Sequence, residues 1–254
     1  MDKEIQALCK RMKLPGVYGS YERITREARE QKISFSEYLI HILRSESESR
    51  DEKGILKRIA QAHFPSIKRF DSLEEERLPK EARERLPELK NLDFVTHNQN
   101  VLMIGNSGSG KSHLAIAMGI KACERGYKVM FKTAAGLINE LKEAKSQKQL
   151  LRFQKTWANV SVVIIDELGY LSFDLEGAEL LFEYLALRYE QKSTIITSNL
   201  IFSEWIKIFK DQTLTMALLD RITQNAMILN MNGLSYRNTM GKNKTSIKEK
   251  VESN

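Results

Sequence analysis

The sequence predicts an α/β fold in which a five-stranded parallel sheet with flanking helices follows a small all-helical domain. Five short apolar runs lie after Asn100, at residues 101–105, 128–133, 161–166, 193–199 and 226–231. Amphipathic stretches long enough for helices separate these runs, and strands that alternate with helices favour a parallel sheet covered on both faces. The N-terminal quarter instead repeats apolar residues at three- and four-residue intervals, which is typical of helices.

Composition divides the chain into four segments. The predicted segments are a helical domain over residues 1–64, a linker over 65–98 that packs on the core, an α/β domain over 99–240 and a polar tail over 241–254 that we expect to be disordered. Three of the four prolines fall in the linker. Within the helical domain, Pro15 and Gly16 predict a turn at residues 14–19.

Overall composition indicates a globular protein with 42% hydrophobic and 29% charged residues among 254. The sequence has neither a membrane-length apolar stretch nor the apolar segment of a signal peptide, so we expect a cytoplasmic protein. Cys9 and Cys123 match no metal-binding or redox spacing, and we expect two free thiols. The net charge of +7 favours a polyanionic partner, although solvated surfaces are often basic too.

The run at 101–105 leads directly into GNSGSGKS, which fits the phosphate-binding pattern G-x-x-x-x-G-K-[ST] and precedes a predicted helix. Glycines let backbone N–H groups surround phosphate oxygens, and the helix N-terminus adds partial positive charge. Lys111 is expected to reach the β- and γ-phosphates, and Ser112 to offer its hydroxyl to Mg²⁺. The candidate nucleotide-binding residues are Gly105, Asn106, Ser107, Gly108, Ser109, Gly110, Lys111, Ser112 and His113.

A second buried strand, SVVIID, ends in two adjacent carboxylates. In phosphate-loop proteins a neighbouring strand brings an aspartate to the magnesium ion, so Asp166 is the predicted second metal ligand. Glu167 follows at the position where a general base could take a proton from the attacking water. The alternatives are that Asp166 caps a helix and that Glu167 is an ordinary acid in a first helical turn.

Two further side chains complete the predicted catalytic set. Asn199 ends the fourth apolar run, where an amide could orient water; the alternative is an asparagine that starts a turn. Arg221 ends a predicted helix just before the last run and could act on the nucleotide of a neighbouring subunit. The alternative for Arg221 is a surface side chain paired with Asp220.

The segments GNSGSGKSHLAIAMGIKACERGYKV, VVIIDELGYLSFDLEGAELLF, SNLIFSEW and LLDRI together resemble IstB-type AAA+ ATPases. These are transposition helper proteins of insertion sequences and relatives of DnaC-type helicase loaders. The resemblance runs from about residue 8 to Arg237. Ile201 replaces a proline usual in the family, and Asn106–Ser107 replace a common proline pair; neither change removes a catalytic group.

The resemblance implies an ATPase with ATP and Mg²⁺ as cofactors that assembles as a homo-oligomer on duplex DNA, largely independently of sequence, and regulates a cognate transposase. An alternative is a replicative helicase loader that acts with single-stranded DNA. A further alternative is a nucleotide-dependent switch with little turnover, against which Glu167 and Asn199 argue.

Basic clusters supply the candidate DNA contacts. They are Lys10, Arg11 and Lys13 in the helical domain, Lys68 and Arg69 in the linker, and Lys142, Lys145, Lys148 and Arg152 after the second strand. Because acids are interleaved with these bases, the alternative is a solvated, salt-bridged surface.

Overall fold

The computed structural model describes residues 2–232. The α-helices are α1 Asp2–Met12, α2 Pro15–Gln31, α3 Phe35–Gln61, α4 Lys80–Asn91, α5 Asp93–Thr96, α6 Lys111–Glu124, α7 Ala134–Ser146, α8 Leu150–Ala158, α9 Leu175–Arg188, α10 Ile206–Phe209 and α11 Gln212–Gln224. The strands are β1 Asn100–Ile104, β2 Val129–Thr133, β3 Val162–Leu168, β4 Ser193–Ser198 and β5 Ala226–Asn230. The chain forms two compact units that divide inside α3, between Lys57 and Arg58, instead of after residue 64. The predicted tail at 241–254 lies outside the described residues.

The five strands form one parallel sheet in the order β2-β3-β4-β1-β5, which confirms the predicted fold class. Ile104 at the end of β1 is in register with Ser198 at the end of β4. Asp166 of β3 is in register with Thr133, the last residue of β2. The carboxyl ends of β1, β3 and β4 therefore meet at one edge of the sheet, which is where open α/β sheets bind ligands.

Alternate residues of the sheet face two separate hydrophobic layers, as period-2 side-chain alternation requires. Ile164 of β3 packs in the layer that contains α4 and α6, whereas its neighbours Val163 and Ile165 pack in the layer of α7, α9 and α11. All three side chains are fully buried. A strand covered on both faces must be apolar throughout, which explains the uninterrupted run that precedes Asp166.

The predicted linker contributes helices and core residues, and is therefore more than a surface segment. Leu78, Ala82, Leu86 and Leu89 recur at helical spacing and are at most 3% exposed. Pro79 directly precedes α4, where proline is tolerated because the first N–H groups of a helix have no internal partner. Prolines and charges obscured this apolar stripe in the sequence.

The N-terminal unit places helix where the sequence indicated a turn. The chain turns at Lys13 and Leu14, and Pro15 already starts α2. Gly16 is needed for packing, because a Cβ on it would lie 2.6 Å from the Ser45 carbonyl oxygen of α3. The glycine therefore marks close contact between two helices and does not mark a turn.

A buried carboxylate stabilises the start of α2. One oxygen of Glu46 accepts hydrogen bonds from the N–H groups of Gly16 at 2.8 Å and Val17 at 3.1 Å, and the other pairs with Arg50 at 2.7 Å. Burial alone would raise the pKa of Glu46, but the hydrogen bonds from Arg50, Val17 and Gly16 outweigh it and lower the pKa. This anion occupies the positive end of α2.

The structure also bears on the two cysteines and on the question of membrane-spanning helices. Cys9 and Cys123 are free cysteines, as predicted, and both are also buried; burial raises the pKa of the Cys123 thiol to about 11. Within residues 2–232, every helix is too short or too polar to cross a bilayer.

Candidate nucleotide-binding site

The loop between β1 and α6 has the backbone geometry of a phosphate cradle. Gly108 and Gly110 take φ values of +80° and +92°, a region that residues with a Cβ enter only with strain. Gly105 is required by close approach, since a Cβ there would lie 2.4 Å from the carbonyl carbon of Met231. The Asn232 side chain accepts a hydrogen bond from the Asn106 N–H at 3.0 Å and so ties the loop to the end of β5.

Lys111 is the first residue of α6 and is buried in the loop, with 7% of its surface exposed. Its ammonium donates hydrogen bonds to the carbonyl oxygens of Gly105 at 2.6 Å and Asn106 at 2.7 Å. The charge is therefore held inside the loop, as expected for a lysine that serves phosphates bound there.

The two predicted metal ligands lie side by side at the carboxyl edge of the sheet. The Ser112 hydroxyl donates to Oδ1 of Asp166 at 2.9 Å, although 54 residues separate them. Asp166 is only 6% exposed, so its oxygens are already fixed in place by their neighbours. Together these groups offer one hydroxyl and one carboxylate to a cation.

Thr197 of β4 connects the two acids and was not singled out in the sequence. Its hydroxyl donates to Oδ1 of Asp166 at 2.5 Å and accepts the backbone N–H of Glu167 at 3.0 Å. The sequence signal was present, since Thr197 is a polar residue that follows two isoleucines in β4, the strand next to β3. The predicted site residue of this run was Asn199 instead.

Glu167 takes an unusual backbone conformation, with φ at +61°. The left-handed region costs a residue with a Cβ roughly 1–2 kcal/mol. The pairing of β3 with β4 is irregular between Ile165 and Leu168, so the backbone departs from the sheet where Glu167 lies. As a result Asp166 is buried while Glu167 is exposed and lines the cavity beside the phosphate loop.

That cavity has a volume of about 250 Å³ and brings together residues from four parts of the sequence. It is lined by Lys68, Ser107, Gly108, Gly110, Lys111, Ser112, His113, Glu167, Thr197 and Asn199. The predicted base, the predicted water-orienting amide and six of the nine predicted nucleotide-binding residues thus line one cavity, whereas Gly105, Asn106 and Ser109 do not. Lys68, which the sequence assigned to DNA, also lies here.

A larger cavity of about 690 Å³ lies against the acidic segment 70–77 and does not touch the phosphate loop. Its lining includes four carboxylates, and Glu75 is paired with Lys90 at 2.6 Å. An excess of negative charge disfavours a phosphate ligand, so the smaller cavity is the candidate nucleotide site.

The Ser112 hydroxyl and the Asp166 carboxylate suit Mg²⁺ better than a metal whose ligands must all come from the protein. Within residues 2–232, no cluster of three His, Cys, Asp or Glu side chains could hold a metal ion. Mg²⁺ prefers oxygen ligands and is commonly bound by one or two protein groups together with phosphates and water. Ser112 and Asp166 fit that pattern.

Arg221 does not line the cavity of its own chain. Its guanidinium stacks over the Phe182 ring of α9 with the central carbon 4.5 Å from the ring centroid. The buried Nη1 atom finds no hydrogen-bond acceptor among residues 2–232. Asp220 does not form an ion pair with it in that part of the chain.

The candidate DNA contacts are dispersed, and some are already paired. Lys142 and Lys145 pair with Asp174 and Glu176 at 2.6 and 2.8 Å. Arg69 pairs with Glu124 on α6. The remaining candidates are exposed: Lys148 and Arg152 around the start of α8, and Lys10, Arg11 and Lys13 at the end of α1.

Comparisons with known protein families and with solved structures agree with the motifs described above. A family described as IstB-like ATP binding protein matches residues 7–245. The chain belongs to this family. Two relatives of this IstB-like chain are the putative ATP-binding protein of insertion sequence IS5376 from Geobacillus stearothermophilus and that of IS21 from Pseudomonas aeruginosa. Both are 36% identical, over 237 and 234 residues, and the alignments cover 93% and 92% of this chain and 94% and 88% of the relatives.

Solved structures support the AAA+ fold of this IstB-like protein. The DnaC helicase loader matches with a TM-score of 0.52 and 22% identity over 68% of this chain and 98% of that one. AMPPCP-bound DnaA from Aquifex aeolicus matches with a TM-score of 0.54 and 18% identity over 66% and 50%. At these identities the likeness concerns the fold alone.

Proposed function

We propose that this IstB-like protein is a Mg²⁺-dependent ATPase that assembles on duplex DNA in the cytoplasm and regulates a cognate transposase. The observation that carries the proposal is the meeting of Lys111, Ser112, Glu167 and Asn199 around one cavity, with Asp166 hydrogen-bonded to Ser112. The insertion-sequence relatives supply the biological context.

Substrate binding would rest on the phosphate loop. Its backbone N–H groups and the start of α6 would hold the phosphates, and Lys111 would place its charge on the β- and γ-phosphates. Ser112 and Asp166 would hold Mg²⁺, which neutralises negative charge on the phosphates when bound. Asp166 needs no rearrangement to do so, because Ser112 and Thr197 already fix its Oδ1 atom.

Hydrolysis would depend on Glu167 and Asn199. The Glu167 carboxylate would accept a proton from the attacking water, and the Asn199 amide would orient that water toward the γ-phosphate. Thr197 would fix the position of the base, because it holds the Glu167 N–H and the neighbouring carboxylate of Asp166 with one hydroxyl. The ordinary acid of a first helical turn does not explain this arrangement, since Glu167 lies in β3.

Arg221 would act on the nucleotide of a neighbouring copy. It is absent from the lining of its own cavity, and its stacking on Phe182 fixes the guanidinium without using all of its donors. A homo-oligomer in which α11 approaches the next subunit's phosphate loop would give the Arg221 guanidinium an anionic partner.

DNA binding is supported by charge rather than by one geometric feature. The chain carries a net charge of +7, and binding to phosphates without sequence preference needs only suitably placed lysines and arginines. We assign first priority to Lys10, Arg11, Lys13, Lys148 and Arg152, which are exposed. Lys142, Lys145 and Arg69 are second choices because acids already pair with them.

The test is binding of Glu167→Gln protein to labelled double- and single-stranded DNA with and without Mg²⁺–ATP. The variant should accumulate the ATP-bound form, bind duplex in an ATP-dependent way and bind long duplexes better than short ones. Affinity should fall steeply with salt, because phosphate contacts release counterions.

Three results would change the proposal. Preference for single strands would favour a helicase loader. Binding of ATP without DNA binding would leave a nucleotide-dependent protein whose partner is another protein. Absence of both activities would overturn the proposal. A matched variant, Lys148→Ala with Arg152→Ala, should weaken DNA binding and leave ATP binding unchanged.

A further inference from the structure

Lys68 lies in the nucleotide cavity although it precedes the α/β sheet by more than thirty residues. Its neighbours Ile67 and Arg69 are exposed, with Ile67 at 61%, whereas Lys68 is partly buried. This difference means that the lysine side chain turns toward the protein while the residues on either side turn away. The cavity it enters is also lined by Lys111, Ser112 and Glu167.

The backbone around Lys68 is attached to α6, the helix that begins at the phosphate loop. Nε2 of His113 lies 3.3 Å from both the Arg69 carbonyl oxygen and the Ser72 hydroxyl. The Arg69 guanidinium pairs with Glu124 at the other end of that helix. Phe70 packs against the core. These contacts fix the position of Lys68 relative to the phosphate loop.

Lys68 contributes a positive charge to the cavity beside the phosphate loop. Within residues 2–232, no carboxylate forms an ion pair with it. Lys68 and His113, the residue that follows the phosphate loop's Ser112, line the same cavity. A cation with no ion-pair partner in the described part of the chain, beside a cavity lined by Gly108 and Gly110, is suited to an anionic ligand.

We propose that Lys68 is a nucleotide-binding residue that donates a charge-assisted hydrogen bond to the phosphate chain, and is not a DNA contact. The inference rests on the proposed ATP site and adds a second lysine to it, from outside the phosphate loop. Lys111 serves the phosphates from within the loop, and Lys68 approaches them from the segment attached to α6.

The experiment compares Lys68→Ala and Lys68→Arg with wild type, using the full chain and titrating ADP and ATP with Mg²⁺ by calorimetry in the absence of DNA. A lost charged hydrogen bond should weaken both nucleotides by about ten- to a hundredfold, and arginine should restore part of the affinity. Lys80→Ala is the matched control, because it also removes one charge but from a side chain that is 84% exposed and paired with Glu84. It should bind both nucleotides like wild type.

The outcomes separate the inference from the function on which it rests. If wild type and Lys80→Ala bind ADP and ATP and Lys68→Ala binds them equally well, Lys68 is not a nucleotide ligand, and the proposed function stands. If Lys68→Ala weakens only DNA binding, the inference is also overturned. If wild type itself binds neither nucleotide, the proposed function fails. Thermal unfolding without nucleotide should be the same for all variants, which excludes a folding defect.

Discussion

Two helices of this chain begin with backbone N–H groups that have no acceptor within the helix, and these groups have opposite surroundings. At α2, the N–H groups of Gly16 and Val17 donate to Glu46, a buried carboxylate supplied by the chain itself. At α6, the helix follows a glycine loop. Its N-cap residue, Gly110, has no side chain that could supply an anion. The positive end of α2 is neutralised internally, whereas that of α6 is left to a ligand.

The starts of α2 and α6 differ because the residues around a helix N-terminus decide whether it can bind a ligand. Both helix starts carry partial positive charge, and neither has a conventional N-cap hydrogen bond. What distinguishes α6 is a loop that avoids Cβ atoms, two lysines that line one cavity, and a carboxyl edge that brings Asp166 within reach. Substitutions at the two helix starts and around the cavity test this distinction.

Lys111→Ala should weaken ATP and ADP binding by about a hundredfold or more, because it removes a buried charge from the phosphate cradle. Calorimetric titration of the full chain measures the effect. Since Lys111 also holds the carbonyls of Gly105 and Asn106, thermal unfolding must be recorded in parallel. Unchanged nucleotide affinity in a folded variant would contradict the assignment of α6 as the ligand-binding helix.

Glu46→Ala should destabilise the N-terminal unit by about 2 kcal/mol, because two buried N–H groups and Arg50 lose their acceptor. Hydrogen exchange at the amides of Gly16 and Val17 should accelerate strongly. Nucleotide affinity should not change, in contrast to Lys111→Ala. Slow exchange retained at both amides would show that Glu46 does not stabilise the start of α2.

Thr197→Val should lower ATP turnover by about tenfold while ATP affinity stays near that of wild type. The substitution keeps the shape but leaves the Glu167 N–H without its acceptor and removes a donor from Asp166. Thr197→Ser keeps the hydroxyl and should retain most of the turnover. Equal losses in the valine and serine variants would indicate a packing role for the threonine methyl group instead.

The smallest effect concerns His113 and pH. Because its pKa is lowered in the folded state, the unfolded chain binds more protons just below the ordinary value of 6.5. Its contribution to the unfolding free energy is therefore complete above that pH and declines as pH falls through it. His113→Gln should lose this part of the pH dependence, measured by chemical denaturation. Identical pH profiles for both proteins would contradict the burial of His113 against the Arg69 segment.

Features whose residues are consecutive in the chain could be predicted from the sequence alone. The phosphate loop, the two acids near the end of β3 and the five strands could be predicted because glycine spacing and apolar runs are local signals. Thr197 and Lys68 could not, because their roles depend on strand order and on how residues 65–72 pack against α6. Glu46 was hidden for the same reason: one acid among many on a charged helix becomes a cap only when α2 and α3 pack together. The helix α4 was concealed because Pro79 directly precedes it and Pro87 lies inside it.

We propose above that ATP is hydrolysed in the cavity beside α6, with Glu167 as the base. The most direct measurement is phosphate release from Mg²⁺–ATP by wild type, Glu167→Gln and Glu190→Gln, with ATP binding measured on the same samples. Glu190 is the matched control, since it is exposed and has a φ of +56°, similar to that of Glu167. Glu167→Gln should bind ATP but release phosphate at least about a hundredfold more slowly, and Glu190→Gln should match wild type. Turnover by Glu167→Gln at the wild-type rate would contradict the account.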